Sequence, residues 1–125
     1  MERRGQKYHR ERLGEALREE IATILEGELS DPRIGLVNVS EVQLAPDARS
    51  ARVFVTVAGE EVPASETMEG LKAATGFIRR ELTERLHLRR APELVFVLDR
   101  SQEAEARIDD LLNRTKKKPQ SQRRT

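Results

Sequence analysis

Side chains suited to acid–base catalysis or metal binding are few and poorly grouped in this 125-residue chain. The two histidines, His9 and His87, have no convincing catalytic or metal-binding partner. Two carboxylate groups, Asp109–Asp110 and the pair Glu103 and Glu105, are adjacent or alternate along a predicted helix, so they point in different directions. The sequence contains no glycine-rich phosphate loop, no nucleophile elbow and no metal-ligand spacing of histidine and carboxylate. It therefore predicts no enzyme, no catalytic residue, no cofactor and no metal site.

The basic side chains offer another kind of chemistry, which is contact with phosphate. They concentrate in residues 1–12, 77–90 and 114–125, which hold 16 of the 23 basic and 4 of the 22 acidic residues. These stretches carry a net charge of +12 and the remainder −11, although the whole chain is only +1. Any one stretch alone is explained slightly better by a solvated helix face or a disordered end. Three together favour an anionic partner, and nucleic acid above all.

Length and composition predict one domain with a modest core, because 37% of the residues are hydrophobic and 36% are charged. Cysteine is absent, which fits a reducing compartment. No apolar run approaches the roughly 18 residues of a membrane span, and the basic N-terminus has no apolar segment behind it. We expect a soluble cytoplasmic protein with a basic N-terminal arm (1–6), a single domain (7–113) and a disordered basic tail (114–125).

Hydrophobic periodicity predicts the elements that position the basic residues. A helix is expected over 7–29, followed by strands over 36–44 and 51–58 that form an antiparallel hairpin. The side-chain alternation of the first strand slips near Ser40–Glu41, which indicates a β-bulge. A second helix follows, with Ser65 or Thr67 as its N-cap. A strand over 93–99 is apolar on both faces, so it is expected to be central or covered on both sides.

A break at Ala74–Thr75–Gly76 divides the helical region that precedes the last strand. Glycine inside a helix costs roughly 1 kcal/mol relative to alanine, so we interpret it as a kink at which backbone approaches a phosphate chain. Arg79 and Arg80 follow the kink and are predicted to remain outside, near a helix N-terminus that also favours phosphate. The predicted RNA-binding residues are Lys72, Arg79, Arg80, Arg89, Arg90 and Arg33. Arg3, Arg4, Lys7, Lys116, Lys117 and Lys118 are predicted to add sequence-independent attraction.

A last helix is predicted over 101–114, with Ala104, Ile108, Leu111 and Leu112 on one side. We expect that side to pack on the domain edge, where it would cover the outer face of the third strand.

The element order and several short motifs resemble one known family. The motifs are Asp31–Gly35, Leu44–Asp47, Ala51–Val55, Ala74–Arg79, Arg90–Leu94 and Arg107–Leu112, which occur in series within residues 8–112. Together they are similar to the ribosome-binding factor A family. The resemblance implies an α+β, KH-like domain of type II topology, α-β-β-α-kink-α-β. Its three-stranded mixed sheet would carry the helices on one face, with a short C-terminal helix added.

The resemblance also implies a function. The family acts in late maturation of the small (30S) ribosomal subunit, including processing of the 5′ end of 16S rRNA, and matters most in the cold. Expected partners are the free 30S subunit, 16S rRNA, ribosomal proteins and an assembly GTPase, with no membrane and with the protein as a monomer. The Gly-x-x-Gly loop of ordinary KH domains is replaced here by Ala74–Thr75–Gly76, so ordinary single-strand clamping is not assumed.

Two other functions remain open at this point. One is a general KH-type RNA-binding module, and the other is a protein-interaction adaptor that uses the first helix or the outer face of the third strand. Aromatic residues limit the mode of RNA binding, because only Tyr8, Phe54, Phe77 and Phe96 are available, and the last two are predicted to be buried. Base stacking is therefore a weaker prediction than phosphate contact and fit to a folded RNA surface.

Overall fold

The chain folds as alternating helices and strands in the order that the sequence predicts. The computed structural model describes residues 4–27, 32–59, 62–100 and 107–114. Its elements are α1 (Arg4–Gly27), β1 (Leu36–Leu44), β2 (Ser50–Ala58), α2 (Ala64–Ala73), α3 (Thr75–Arg85), β3 (Glu93–Leu98) and a short helix, α4 (107–114). Helix α1 begins three residues before the predicted start and ends at Gly27.

The three strands form one mixed sheet in the order β1-β2-β3. The hairpin pair β1–β2 is antiparallel, and β3 pairs in parallel with β2 after the α2–α3 crossover. The predicted bulge is confirmed, because the β1–β2 register shifts between Val39 and Glu41. With the extra residue, Val39 and Leu44 both point into the core from opposite sides of the slip.

Strand β3 differs from its prediction. It lies at an edge of the sheet and not at its centre, and Val95 on its outer face is 53% exposed. The central strand is β2, whose Ala51, Val53 and Val55 are buried. An apolar strand thus lies at an edge, and its outer face is not fully covered.

Helices α1, α2 and α3 pack on one face of the sheet. The predicted stripe of α1 supplies Leu17, Ile21 and Ile24, which are fully buried. Helices α2 and α3 add Leu71, Ile78 and Leu82, which are equally inaccessible to solvent and join the same cluster. The other face of the sheet carries exposed polar side chains such as Gln43 and Arg52. The α+β fold with its helices on one face is therefore confirmed.

The N-cap prediction for α2 is wrong. Pro63 occupies the N-cap position with φ −59°, and no side chain caps the helix there. Thr67 is instead completely buried, and its Oγ1 accepts the N–H of Gly35 at 3.3 Å. The hydroxyl thus joins α2 to the turn before β1.

The predicted packing of the last helix is also wrong within the residues described. Ile108, Leu111 and Leu112 of α4 are 57%, 60% and 53% exposed, so they do not cover β3. Ala104 lies outside the described residues. Arg114, assigned to the disordered tail, ends α4 and pairs with Asp110 at 2.9 Å. None of the helices in the described parts of the chain has the length and hydrophobicity that a membrane span requires.

Candidate nucleic-acid interface

The helix break lies at Ala74, which ends α2 and precedes α3. Its φ of −86° and ψ of −1° interrupt the helix while the hydrogen bonds continue across it. The Ala74 N–H donates to Gly70 O at 3.0 Å, and Ala74 O accepts the Ile78 N–H, also at 3.0 Å. Gly76 has an ordinary helical backbone without positive φ. The kink is therefore real, but glycine is not the residue that makes it.

Continuity across the kink changes the electrostatics expected for the start of α3. An isolated helix begins with four N–H groups that lack partners and attract anions. Here the carbonyls of Gly70, Leu71 and Lys72 accept N–H groups at the junction. The junction therefore retains fewer free amide donors than the sequence predicts, and phosphate contact depends more on the arginines.

Arg79 is partly buried, contrary to the prediction that it stays largely outside. Its Nη2 group donates to Ala91 O at 2.9 Å, which ties α3 to the segment before β3. Its Nε group is buried and has no hydrogen-bond partner in the described structure. Arg79 therefore holds α3 to the segment before β3 and also carries a positive charge near the surface of the domain.

Arg79 shares a cavity with two other arginines. We call this cavity, of about 440 Å³, the arginine notch; it is lined by Ala48, Arg49, Arg79, Arg90, Ala91, Pro92 and Glu93. Arg49 and Arg90 are exposed, and Glu93 is the single acidic residue of the lining. The structure thus brings together Arg79 and Arg90, both predicted, with an arginine that sequence reasoning missed.

The backbone around Arg49 is held by several hydrogen bonds. Its N–H donates to Asp47 Oδ1 at 3.1 Å, and its carbonyl accepts the Glu93 N–H at 2.9 Å. The preceding residue, Ala48, has a φ of 61°, a conformation that non-glycine residues adopt only when their surroundings impose it. The pairing of β2 with β3 could have identified Arg49, because it places the starts of the two strands side by side.

A second cavity of about 830 Å³ lies between α2 and β3. This α2–β3 groove is lined by Arg33, Met68, Glu69, Lys72, Ala73, Thr75, Leu94, Val95 and Phe96. It unites Arg33 and Lys72, which the sequence places far apart, with Thr75 of the kink. Residues 90–96 lead from the notch into the groove, so the two basic sites are joined by one short segment of chain.

The remaining predicted residues line neither cavity, and four of them lie outside the described chain. Arg80 is exposed on α3, and Arg89 is exposed just before Arg90. Arg4 and Lys7 belong to the first turn of α1. Arg3, Lys116, Lys117 and Lys118 lie outside the described residues.

The histidines and aromatic residues do not build a second site in the described structure. His9 and His87 are exposed, and within residues 4–27, 32–59, 62–100 and 107–114 no three His, Asp or Glu side chains form a metal-binding group. Tyr8 is 62% exposed with the Arg12 guanidinium 5.7 Å from its ring centre. Phe77 and Phe96 are partly buried, so they are more accessible than predicted.

Comparison with known proteins agrees with this fold. The family model described as ribosome-binding factor A matches residues 9–112. Ribosome-binding factor A of Koribacter versatilis is 59% identical over 123 residues, covering 98% of this chain and all of that protein. The protein of the same name from Halothermothrix orenii is 46% identical over 112 residues, covering 90% and 92%.

Solved structures give the same result. The crystal structure of ribosome-binding factor A from Thermus thermophilus superposes with a TM-score of 0.64 at 28% identity, covering 71% of this chain and 93% of that one. A Thermus thermophilus homology model of the factor, fitted into the cryo-EM map of a 30S–RbfA complex, gives a TM-score of 0.61 at 30% identity, covering 73% and 96%. This chain belongs to the ribosome-binding factor A family.

Proposed function

We propose that this protein binds the free small (30S) ribosomal subunit through 16S rRNA and acts, without catalysis, in the late maturation of that subunit. The proposal includes processing of the 5′ end of 16S rRNA, to which the protein would contribute by binding. It is supported by family membership and by the Thermus thermophilus relative that was fitted into a 30S complex.

The observation that carries the proposal is the pair of basic cavities, the α2–β3 groove and the arginine notch, which residues 90–96 connect. Arg33 and Lys72 line the groove, Arg49 and Arg90 line the notch, and all four are exposed. Contacts of Arg and Lys with phosphate position a protein on nucleic acid and supply most of its salt-dependent affinity. A rigid basic surface with few exposed aromatic rings suits the backbone of a folded RNA.

Sedimentation tests the proposal directly. We expect the protein to co-sediment in a sucrose gradient with free 30S subunits and their precursors, and not with 70S ribosomes. Cells depleted of the protein should accumulate 16S rRNA with an unprocessed 5′ end, most strongly in the cold. The purified protein alone should not cleave precursor rRNA. Equal binding to 70S ribosomes, or normal 5′ ends after depletion, would contradict the proposal.

A double charge variant tests which basic surface of the protein binds the 30S subunit. Arg80→Gln combined with Arg89→Gln removes two exposed cations that make no hydrogen bond to the described parts of the domain, whereas replacing Arg79 would also break its bond to Ala91. We expect weaker 30S binding and a shallower slope of log affinity against log salt, by about 0.7–0.9 for each lost phosphate contact. Arg52→Gln is the control, because this exposed arginine lies on β2 outside the three basic stretches, and it should leave the slope unchanged. Equal effects of both variants would place the interface elsewhere.

A protein-interaction adaptor is the second candidate, because Val95 and the apolar residues of α4 are exposed. Nuclease treatment of a pulldown separates the two functions. Partners that leave with the RNA support the ribosomal proposal, including any contacts with ribosomal proteins that RNA bridges. Partners that persist, such as an assembly GTPase bound directly, support the adaptor.

A further inference from the structure

We propose that the arginine notch is a preformed phosphate-binding site in which Arg49 and Arg90 contact the phosphate while Arg79 holds the site in shape. The rRNA backbone as the source of that phosphate rests on the proposed function. The phosphate chemistry itself rests on the geometry of the notch.

The charge of the notch is the first argument. Three arginines and a single acidic residue, Glu93, line a cavity of about 440 Å³. Within the described part of the chain, none of the three arginines forms an ion pair. Arg85 of the same helix as Arg79, by contrast, lies 3.4 Å from both Glu20 and Glu81. The notch therefore concentrates positive charge that the described protein does not neutralise.

The rigidity of the notch is the second argument. Arg49 follows the positive-φ residue Ala48, and its peptide groups are bonded to Asp47 and to Glu93. Arg90 stands immediately before Ala91, whose carbonyl is held by Arg79. Both candidate contact residues therefore extend from fixed backbone. A site fixed before binding loses less conformational entropy when the ligand arrives, which increases its affinity.

The buried Nε group of Arg79 is the third argument. Buried polar groups in native proteins almost always have a hydrogen-bond partner, and an exception needs an explanation. This atom is shielded from solvent, so an anion in the notch would not reach it directly, but the anion would offset the charge that the partly buried guanidinium group carries without an acidic partner in the described structure. The same anion would offset the charges of Arg49 and Arg90.

Phosphate fits these features better than carboxylate. A guanidinium group presents a fork of N–H donors, and a phosphate group offers several oxygens that two forks can share. Two exposed arginines from separate segments, converging on one cavity, match a tetrahedral anion approached from two sides. A carboxylate offers two oxygens in one plane and a single charge, so it matches two guanidinium forks from separate segments less well.

The first arm of the test uses pyrophosphate as the probe. The full-length protein is titrated at constant ionic strength while the amide resonances of Arg49, Ala91 and Glu93 are followed by NMR. We expect saturable shifts at these residues in the wild type and their loss in the double variant Arg49→Gln, Arg90→Gln. Arg52→Gln is the control, because this exposed arginine lies on β2 outside the notch and its Nη2 bonds Gln43. Circular dichroism should show all variants folded, since none of these side chains is buried.

The second arm uses 30S precursor particles. We expect the double variant to bind roughly tenfold more weakly. Its salt slope should be shallower by about 0.7–0.9 for one lost phosphate contact. Arg52→Gln should behave as the wild type does. This result would identify the phosphate as part of the rRNA backbone.

The outcomes separate the notch from the proposed function. If pyrophosphate binding is saturable but the wild-type protein does not bind 30S precursor particles, the phosphate site is supported and the 30S proposal is overturned. Pyrophosphate binding with unchanged particle affinity of the double variant supports a free phosphate compound as the ligand. The phosphate site is overturned if pyrophosphate shifts none of the three resonances, or if an oligoglutamate peptide shifts them as strongly.

Discussion

Replacing Gly76 by alanine tests whether glycine next to the helix kink is required by the backbone conformation or by the close approach of a ligand. The backbone at Gly76 does not require glycine, since its φ is not positive. A Cβ at this position would meet nothing closer than Arg80 Nη1 at 3.8 Å, an ordinary van der Waals contact. Glycine in a helix costs about 0.5–1 kcal/mol relative to alanine. We therefore expect Gly76→Ala to stabilise the domain by about that amount.

The measurement is urea denaturation supported by thermal unfolding, where the melting temperature should rise by about 2–8 °C. Gly70→Ala is the matched control on α2. Its Cβ would lie 2.8 Å from Ile34 Cγ1 and 3.3 Å from Arg33 Cβ. Overpacking should therefore destabilise the domain by about 1–3 kcal/mol. The two glycine substitutions should thus change stability in opposite directions.

Binding then shows whether Gly76 is kept for close approach of a ligand. If an RNA phosphate contacts the helix corner, Gly76→Ala should bind 30S particles more weakly although the protein is more stable. A loss of stability in Gly76→Ala would refute the backbone reasoning. Higher stability with unchanged affinity would refute close approach at this residue and leave the arginines as the main contacts.

Substitutions at three further positions test the core and the surface. Thr67→Val should lose about 1–3 kcal/mol in urea denaturation, because it leaves the Gly35 N–H without its acceptor, and Thr67→Ser should lose less. Leu82→Ala should lose about 2–5 kcal/mol in the same assay, because Leu82 is fully buried. The hydrogen bond from Arg18 holds the pKa of the Glu15 carboxylate below its ordinary value, so the bond is present at neutral pH and lost as pH falls through that pKa. An NMR titration of Arg18→Gln should find the Glu15 pKa raised, and an unchanged pKa would contradict this cause.

The sequence predicts the sheet well because side-chain alternation is a local property. The slip near Ser40 is visible as a change of parity, and the long crossover indicates parallel pairing of the third strand. The same reasoning fails for the position of β3. Apolar residues on both faces fit a central strand, but coverage of each face is decided by distant elements such as α4.

The candidate site is predicted less completely because its contacts are long-range. Arg79 follows the buried Ile78, and its side chain reaches Ala91 O twelve residues further along the chain. Arg49 lies in a hairpin loop, and only the pairing of β2 with β3 carries it to Arg90. Periodicity identifies which residues are basic and roughly where they lie. It does not reveal which of them converge on one cavity.

The β-bulge has a consequence for how this family of sequences tolerates change. Ser40 is exposed, and its Oγ lies 3.1 Å from Phe54 O and 3.0 Å from Asp99 Oδ2, so it touches β2 and the residue that follows β3. Replacing its side chain removes two surface contacts and leaves the core intact. Deleting the residue would place Val39 and Val42 two residues apart on one face, so every strand pair from Val39–Val55 to Leu44–Ala51 would keep its partner in a regular register. The exposed bulge position is therefore expected to tolerate deletion as well as substitution, whereas an added residue would turn one side of the strand out of the core.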